Sequence, residues 1–186
     1  VSEGTVVLPA WRRLATTFIV AALPALTVYV AGLAPTFSYG DFADLPLRVL
    51  DPTEPWFVYS LRDYPLYRGL GGLFARLPFG DLAYRINLMT AMFGALAVGV
   101  ASVIAHAATG RRRDGLVSGM ALGFCHTFWL LSEMAEVYTL AVLLNLLVVL
   151  SILFWERTRK TRFLLTAGLA LGIGLSHHVA TTLLAP

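Results

Sequence analysis

Residues 88–109 read LMTAMFGALAVGVASVIAHAAT and run straight into Gly110-Arg111-Arg112-Arg113. That stretch carries a single ionisable side chain, His106. It is long enough to cross a bilayer, which needs about 20 apolar residues as a helix. The abrupt change to three arginines marks where such a helix leaves the hydrocarbon. Four more stretches have this character wholly or nearly: about Leu14 to Pro35, Leu116 to Leu131, Val137 to Trp155, and Phe163 to the end at Pro186. Pro24 falls inside the first and predicts a kink, which neighbouring helices absorb in a membrane. The chain therefore reads as all-α, a polytopic integral membrane protein with about five transmembrane helices in one domain.

Composition agrees. Of 186 residues, 58% are hydrophobic and 13% charged, with a mean hydropathy of +0.73. A soluble domain carries about 25% charge. That gap excludes a disordered chain, a disulfide scaffold and almost any soluble enzyme. The net charge of +3 lies in short clusters between apolar runs and does not mark a nucleic-acid partner. Cys125 is the one cysteine, so no internal disulfide forms; inside an apolar run it reads as packing. The chain opens at Val1 without a methionine and stops at Pro186 within or just after an apolar stretch. We read it as the N-terminal part of a longer protein. Its first apolar segment is too long for a cleavable signal peptide and lacks a small-residue cleavage site, so it is expected to stay as an anchor.

Arginine and lysine set orientation. Arg12 and Arg13 precede the first segment. Arg111, Arg112 and Arg113 separate the second and third. Arg157, Arg159, Lys160 and Arg162 separate the fourth and fifth. These clusters hold nine of the fourteen basic residues. An up-down path puts all three on one side, expected to be cytoplasmic; if the protein is bacterial, that membrane is the plasma or inner membrane. The opposite, exoplasmic side then collects Asp41, Asp44, Asp51, Glu54, Asp63, Asp81, Glu133 and Glu136, eight of the eleven acids. Acids contribute little to orientation, so this imbalance asks for another reason.

The exoplasmic loop 36–85 contains Pro46, Pro52, Pro55, Pro65 and Pro78 and cannot be one helix. Within it, Leu66, Leu70, Leu73, Phe74 and Leu77 recur at helical spacing, with Arg68, Gly72 and Arg76 opposite. That pattern predicts a helix lying in the membrane surface, arginine face outward. Gly115, Gly119 and Gly123 lie four apart, as do Gly168 and Gly172. Such stripes let membrane helices approach closely.

Ionisable groups near hydrocarbon are costly and suggest function. Asp41 and Asp44 are three apart, so in a helix both carboxylates share a face. They suit a base with its orienter, or a cation site; the plain alternative is a capped helix start. Glu133 and Glu136 repeat the spacing between the third and fourth segments, flanked by Trp129 and Tyr138. His177 and His178 fall in the outer half of the fifth. Adjacent positions point about 100° apart, so one of the two faces any single site, and a two-histidine metal pair is disfavoured. His126 and His106 read as helix-packing polar groups. The sequence has no Walker A loop, GxSxG elbow, CxxC or HExxH, leaving nucleotide hydrolysis, serine-hydrolase and ordinary zinc chemistry without support. Paired acids leave a divalent metal open.

Seven motifs in order carry a resemblance. A helix is followed by Gly40-Asp41 and a second acid, Asp44. Then come Tyr64-Pro65-Leu66-Tyr67, Leu77-Pro78-Phe79-Gly80, and Tyr84-Arg85-Ile86-Asn87-Leu88-Met89. Thr127-Phe128-Trp129, Ala135-Glu136-Val137-Tyr138-Thr139-Leu140 and Gly174-Leu175-Ser176-His177-His178 complete the series. Over about residues 24–186 the chain resembles the N-terminal half of a family once catalogued as a domain of unknown function. That family is related to the animal transmembrane protein O-mannosyltransferases, within the C-type glycosyltransferase (GT-C) superfamily.

The resemblance implies transfer of a sugar, with mannose the first candidate, from a polyprenyl phosphate to an exported protein or envelope glycan on the exoplasmic side. By position it implies Asp41 as the active-site acid, with Asp44 beside it where the family usually has glutamate. Glu136 and Tyr138 match its Glu-Val-Tyr, and His177 or His178 its fifth-helix histidine. One departure stands out: Ser60-Leu61-Arg62-Asp63 replaces the family's usual His-Pro-Pro-Gly. Arg62 and Asp63 then serve differently, or the donor differs. Arg62 and Arg85 are the exoplasmic cations available to a leaving phosphate, with Tyr64, Asp63 and Glu133 near them in the substrate site; Arg85 could equally anchor a helix at the headgroups. Two rivals to an enzyme remain. Intramembrane acids and histidines also suit a proton-coupled transporter or flippase, although no inverted repeat is visible. A non-catalytic assembly partner is the third reading.

Overall fold

The computed structural model describes residues 9–37, 41–49, 64–178 and 181, without the side chains of Asp41 and Phe42. The described residues form α-helices and connections, with no strand. The helices are α1 (Trp11–Gly32), α2 (Asp41–Val49), α3 (Pro65–Phe74), α4 (Leu82–Thr109), α5 (Arg112–Gly123), α6 (His126–Ser132), α7 (Tyr138–Thr158) and α8 (Thr161–His177).

Three of these, α1, α4 and α7, are long and apolar enough to span a membrane on their own. Helix α4 starts six residues before the expected Leu88, because Asp81 caps it: Asp81 Oδ1 accepts the Tyr84 N–H at 2.7 Å. The third expected segment is two helices. Helices α5 and α6 meet at 69° and together make a fourth candidate span. The break has a tertiary cause. Tyr29 of α1, fully buried, donates its hydroxyl to the Gly123 carbonyl at 2.8 Å. A continuous helix would need that oxygen for the N–H of Thr127, and a side chain entering the ladder bends it. Cys125 and His126 at the break are therefore exposed, not packed as expected. Helix α8 has 17 residues; the remainder of the fifth expected segment lies largely outside the described residues.

The bundle is centred on α4, which packs on α1, α5, α6 and α7, while α8 lies along α7. It is apolar outside: Leu165 and Leu169 of α8 are 70% and 65% exposed, and Ile19, Leu23 and Val117 also face outward. Its interior holds small and polar side chains, including Ala91, Ala97, Thr17, Thr90 and Ser102. That inversion suits lipid as the surrounding solvent. The Gly115-Gly119-Gly123 stripe packs as expected. A Cβ on Gly115 would lie 2.5 Å from the Ser102 carbonyl, and one on Gly119 would collide with Ser102 Oγ. The second stripe does not behave this way: Cβ atoms on Gly168 and Gly172 would meet nothing within 4 Å.

The three basic clusters gather at one end. Thr17 Oγ1 of α1 bonds His106 Nδ1 of α4 at 2.9 Å, and the Arg157 guanidinium reaches the Ala108 carbonyl at 3.4 Å. Leu14, Val103, Ala107 and Phe154 form the core beneath, with Phe163 against it. The acids Glu133 and Glu136 sit at the opposite end, where α2 and α3 fold over the bundle.

Candidate functional site

The acid end is assembled from six separate pieces of sequence: the end of α1, α2, α3, the start of α4, the α6–α7 turn and the end of α8. The end of α1 is tied to α4 by Asn87, whose Nδ2 donates to the Ala34 carbonyl at 2.8 Å. It is tied to the α6–α7 turn by the Ala34 N–H, which donates to the Glu133 carbonyl at 3.1 Å. Glu133 also takes the Trp129 indole N–H on its Oε1. Gly32 leaves room for it, since any Cβ there would overlap that same oxygen. Glu133 is therefore committed to a joint between helices.

Glu136 is buried. Its Oε2 accepts the Val137 N–H at 3.0 Å, capping the start of α7. Its own N–H points at Thr90 Oγ1 at 3.5 Å, and the Tyr67 hydroxyl meets that same Oγ1 at 2.7 Å. Thr90 gives its proton to the Ile86 carbonyl at 3.1 Å, so Tyr67 is the donor to Thr90. Burial pushes the Tyr67 phenol well above its ordinary pKa; the Thr90 bond works against this and the Glu136 charge adds to it. The phenol stays a neutral donor beside the carboxylate. A buried carboxylate is costly unless hydrogen bonds compensate it, and here the Val137 N–H supplies one.

His177, buried, donates Nε2–H to the Val137 carbonyl at 3.1 Å. Val137 is thus held at its N–H by Glu136 and at its carbonyl by His177. Its Nδ1 is buried without a hydrogen-bond partner among the described residues. With Nε2 protonated, Nδ1 of the neutral ring is a lone-pair acceptor. Rings close over it. Tyr64 lies edge-on to His177 and stacks on His178, both at 5.9 Å between centroids, and Tyr138 lies 5.2 Å from His178. Tyr64 precedes α3 in a left-handed conformation, φ 42°, which costs a non-glycine residue about 1–2 kcal/mol and turns its ring toward the histidines. The sequence leaves open which histidine faces the site; here His177 faces inward and His178 belongs to the ring cluster.

Several expected site residues are placed differently. Arg85 donates to the carbonyls of Ala75 at 2.5 Å, Leu77 at 2.7 Å and Asp81 at 3.1 Å, clamping the α3–α4 connection. Arg68 is buried, not on an outer polar face. Helix α3 turns its Tyr67-Arg68-Gly71 side inward because Tyr67 bonds α4 and a Cβ on Gly71 would press on Val49 of α2. Leu73 is left 58% exposed. Asp44 is exposed and paired with Arg48 at 2.6 Å. Asp41 opens α2, which Leu45 and Val49 hold on the core shared by Tyr67, Ile86 and Val137; its side chain lies outside the described residues, as do Arg62 and Asp63. Among the described residues no group of three or more histidine, cysteine or acidic side chains could hold a metal.

Thr90 is the member that motif reading did not single out, while Tyr67 stood only within the Tyr64-Pro65-Leu66-Tyr67 motif with no role given. The trace of Thr90 in the sequence is a line of polar and small residues on an apolar helix: Asn87, Thr90 and Gly94 share one face of α4.

A family model described as the N-terminal domain of protein O-mannosyl-transferase TMEM260 matches residues 63–186. The chain belongs to this family. Protein O-mannosyl-transferase TMEM260 of Mus musculus is 35% identical over 116 residues, which is 61% of this chain and 16% of the mouse protein. No solved structure matches the chain at a significant level. The family match contains Tyr64, Tyr67, Glu136, Tyr138, His177 and His178, whereas Asp41, Asp44 and Arg62 lie before it.

Proposed function

We propose that this chain is the N-terminal part of a membrane glycosyltransferase that moves a sugar, mannose in the first instance, from a polyprenyl phosphate to a hydroxyl of an exported protein or glycan. The reading rests on one observation above all: the buried Glu136, its carboxylate on the Val137 N–H and its backbone N–H toward the Thr90–Tyr67 pair, at the bundle end away from the basic clusters. Family membership and the name of the mouse relative support the sugar-transfer class. The basic clusters support a cytoplasmic side for their own end of the bundle, and with it an exoplasmic Glu136 end.

In the proposed reaction Asp41 takes the proton from the acceptor hydroxyl. The oxygen attacks the anomeric carbon as the bond to the polyprenyl phosphate oxygen breaks. A single displacement inverts that carbon. Glu136 orients the acceptor or sugar hydroxyls, and His177 holds Glu136 in place through Val137. The Tyr64, His178 and Tyr138 rings offer an apolar wall with polar edges for the sugar. Arg62 is the candidate cation for the departing phosphate, with Asp63 beside it. Asp44, paired with Arg48 within α2, steadies the helix that carries Asp41. No step requires a metal, and the loop acids leave room for one.

The test uses the full-length protein in membranes, polyprenyl-phosphate mannose and a hydroxyl-bearing peptide. Wild-type protein is expected to give a transfer product, and Glu136→Gln to lower turnover about a hundredfold, as misplacement of a reacting group does, with insertion unchanged. Equal turnover would remove Glu136 from the site. Proton-driven uptake into vesicles with no transfer product would instead establish a transporter.

A further inference from the structure

We propose that the basic end of the bundle holds a second site, one that binds a phosphate group. Between α1, α4 and the start of α5 lies a cavity of about 350 Å³ lined by Arg13, Thr16, His106, Gly110 and Arg112. Its size falls within the range of ligand pockets. Two basic clusters far apart in sequence each contribute one arginine to it. Neither guanidinium makes a hydrogen bond or ion pair with any described residue. The acid in the first turn of α5, Asp114, is not part of the wall.

The other polar groups are already oriented. Thr16 gives its proton to the Arg12 carbonyl at 2.7 Å. His106 is fixed through Nδ1 on Thr17, and its Nε2 edge makes no other hydrogen bond among the described residues. Donors for a ligand therefore come from Arg13 and Arg112. Two cations facing one cavity repel until an anion sits between them. Guanidinium forks match phosphate oxygens in geometry as well as charge. A topology signal needs positive charge on one side; it does not need two clusters to converge on a concave site. Basic pockets between membrane helices on the cytoplasmic side take anionic head groups. The phosphate has two possible sources, the head group of an anionic phospholipid or a phosphate free in the aqueous phase. This site is independent of the sugar-transfer reading.

The test places the full-length protein in nanodiscs of phosphatidylcholine and phosphatidylglycerol and counts retained phosphatidylglycerol by native mass spectrometry. A second arm measures thermal unfolding in phosphatidylcholine alone, with inorganic phosphate against chloride at equal ionic strength. The doubles R13Q/R112Q and R12Q/R113Q remove the same charge from the same clusters, but only the first touches the cavity. Retention that falls about tenfold in R13Q/R112Q and hardly changes in R12Q/R113Q supports the site with a lipid as its source. Stabilisation by phosphate that is lost in R13Q/R112Q alone supports a soluble source. Equal losses in the two doubles, or binding indifferent to both, overturn the site. So does wild-type protein that neither retains the lipid nor responds to phosphate, a result that stands even if R13Q/R112Q does not insert.

Discussion

The two ends of the bundle handle charge in opposite ways. At the basic end Arg12, Arg13, Arg111, Arg112 and Arg113 are exposed, and the core beneath them is Leu14, Val103, Ala107 and Phe154. Its helices meet closely through the Gly115 stripe. At the acid end two short helices fold over the bundle, and Glu136, Arg68, Asn87, Thr90 and His177 are buried. Charge that sets topology, or that faces a cavity open to water, can remain hydrated at little cost. Charge drawn into the interior needs a network of partners, and proteins keep such arrangements where chemistry or recognition requires them. The basic end should therefore tolerate little change in packing, and the acid end little change in chemistry.

Substitutions at the two ends should separate stability from activity. The largest effect on folding is expected from Gly115→Leu. Its side chain would drive into Ser102 and His106 of α4, and overpacking of this kind costs about 3 kcal/mol or more. Unfolding in detergent measures the loss, while turnover per folded molecule should hold. A drop in turnover without lost stability would erase the distinction between the ends. Tyr67→Phe should cost about 1 kcal/mol, the worth of one hydrogen bond, yet lower transfer because Thr90 and Glu136 lose their neighbour. Full activity in that variant would confine the Tyr67–Thr90 pair to a structural role. The smallest effect should come from Gly168→Ala, where the new methyl meets open space. Helix propensity predicts a gain of about 0.5–1 kcal/mol; a loss would reveal a partner packed on α8.

Much of this was readable from apolar run lengths. The spans α1, α4 and α7 stand where about 20 apolar residues stand, and the three arginine clusters predicted a common end that Thr17–His106 and Arg157–Ala108 now join. What sequence could not carry was tertiary. The break between α5 and α6 depends on Tyr29, 94 residues away. The inward turn of Arg68 depends on Val49 and Thr90, because local amphipathic spacing cannot register what covers a helix. Glycine spacing alone could not tell Gly115, which meets α4, from Gly168, which meets nothing within 4 Å. At the site, Glu136 and His177 were visible as ionisable groups in apolar surroundings. Their connection through one residue, Val137, was not.

The central claim is that the Glu136 end, with Asp41 on α2, transfers sugar. It is tested most directly by comparing glycans on exported proteins and envelope polymers, by mass spectrometry, between cells carrying the full-length protein and cells carrying Asp41→Asn. Loss of one defined sugar from a defined acceptor, with protein level and insertion unchanged, is the predicted result. An unchanged glycan profile, in cells where deleting the whole protein removes that sugar, would contradict Asp41 as the base.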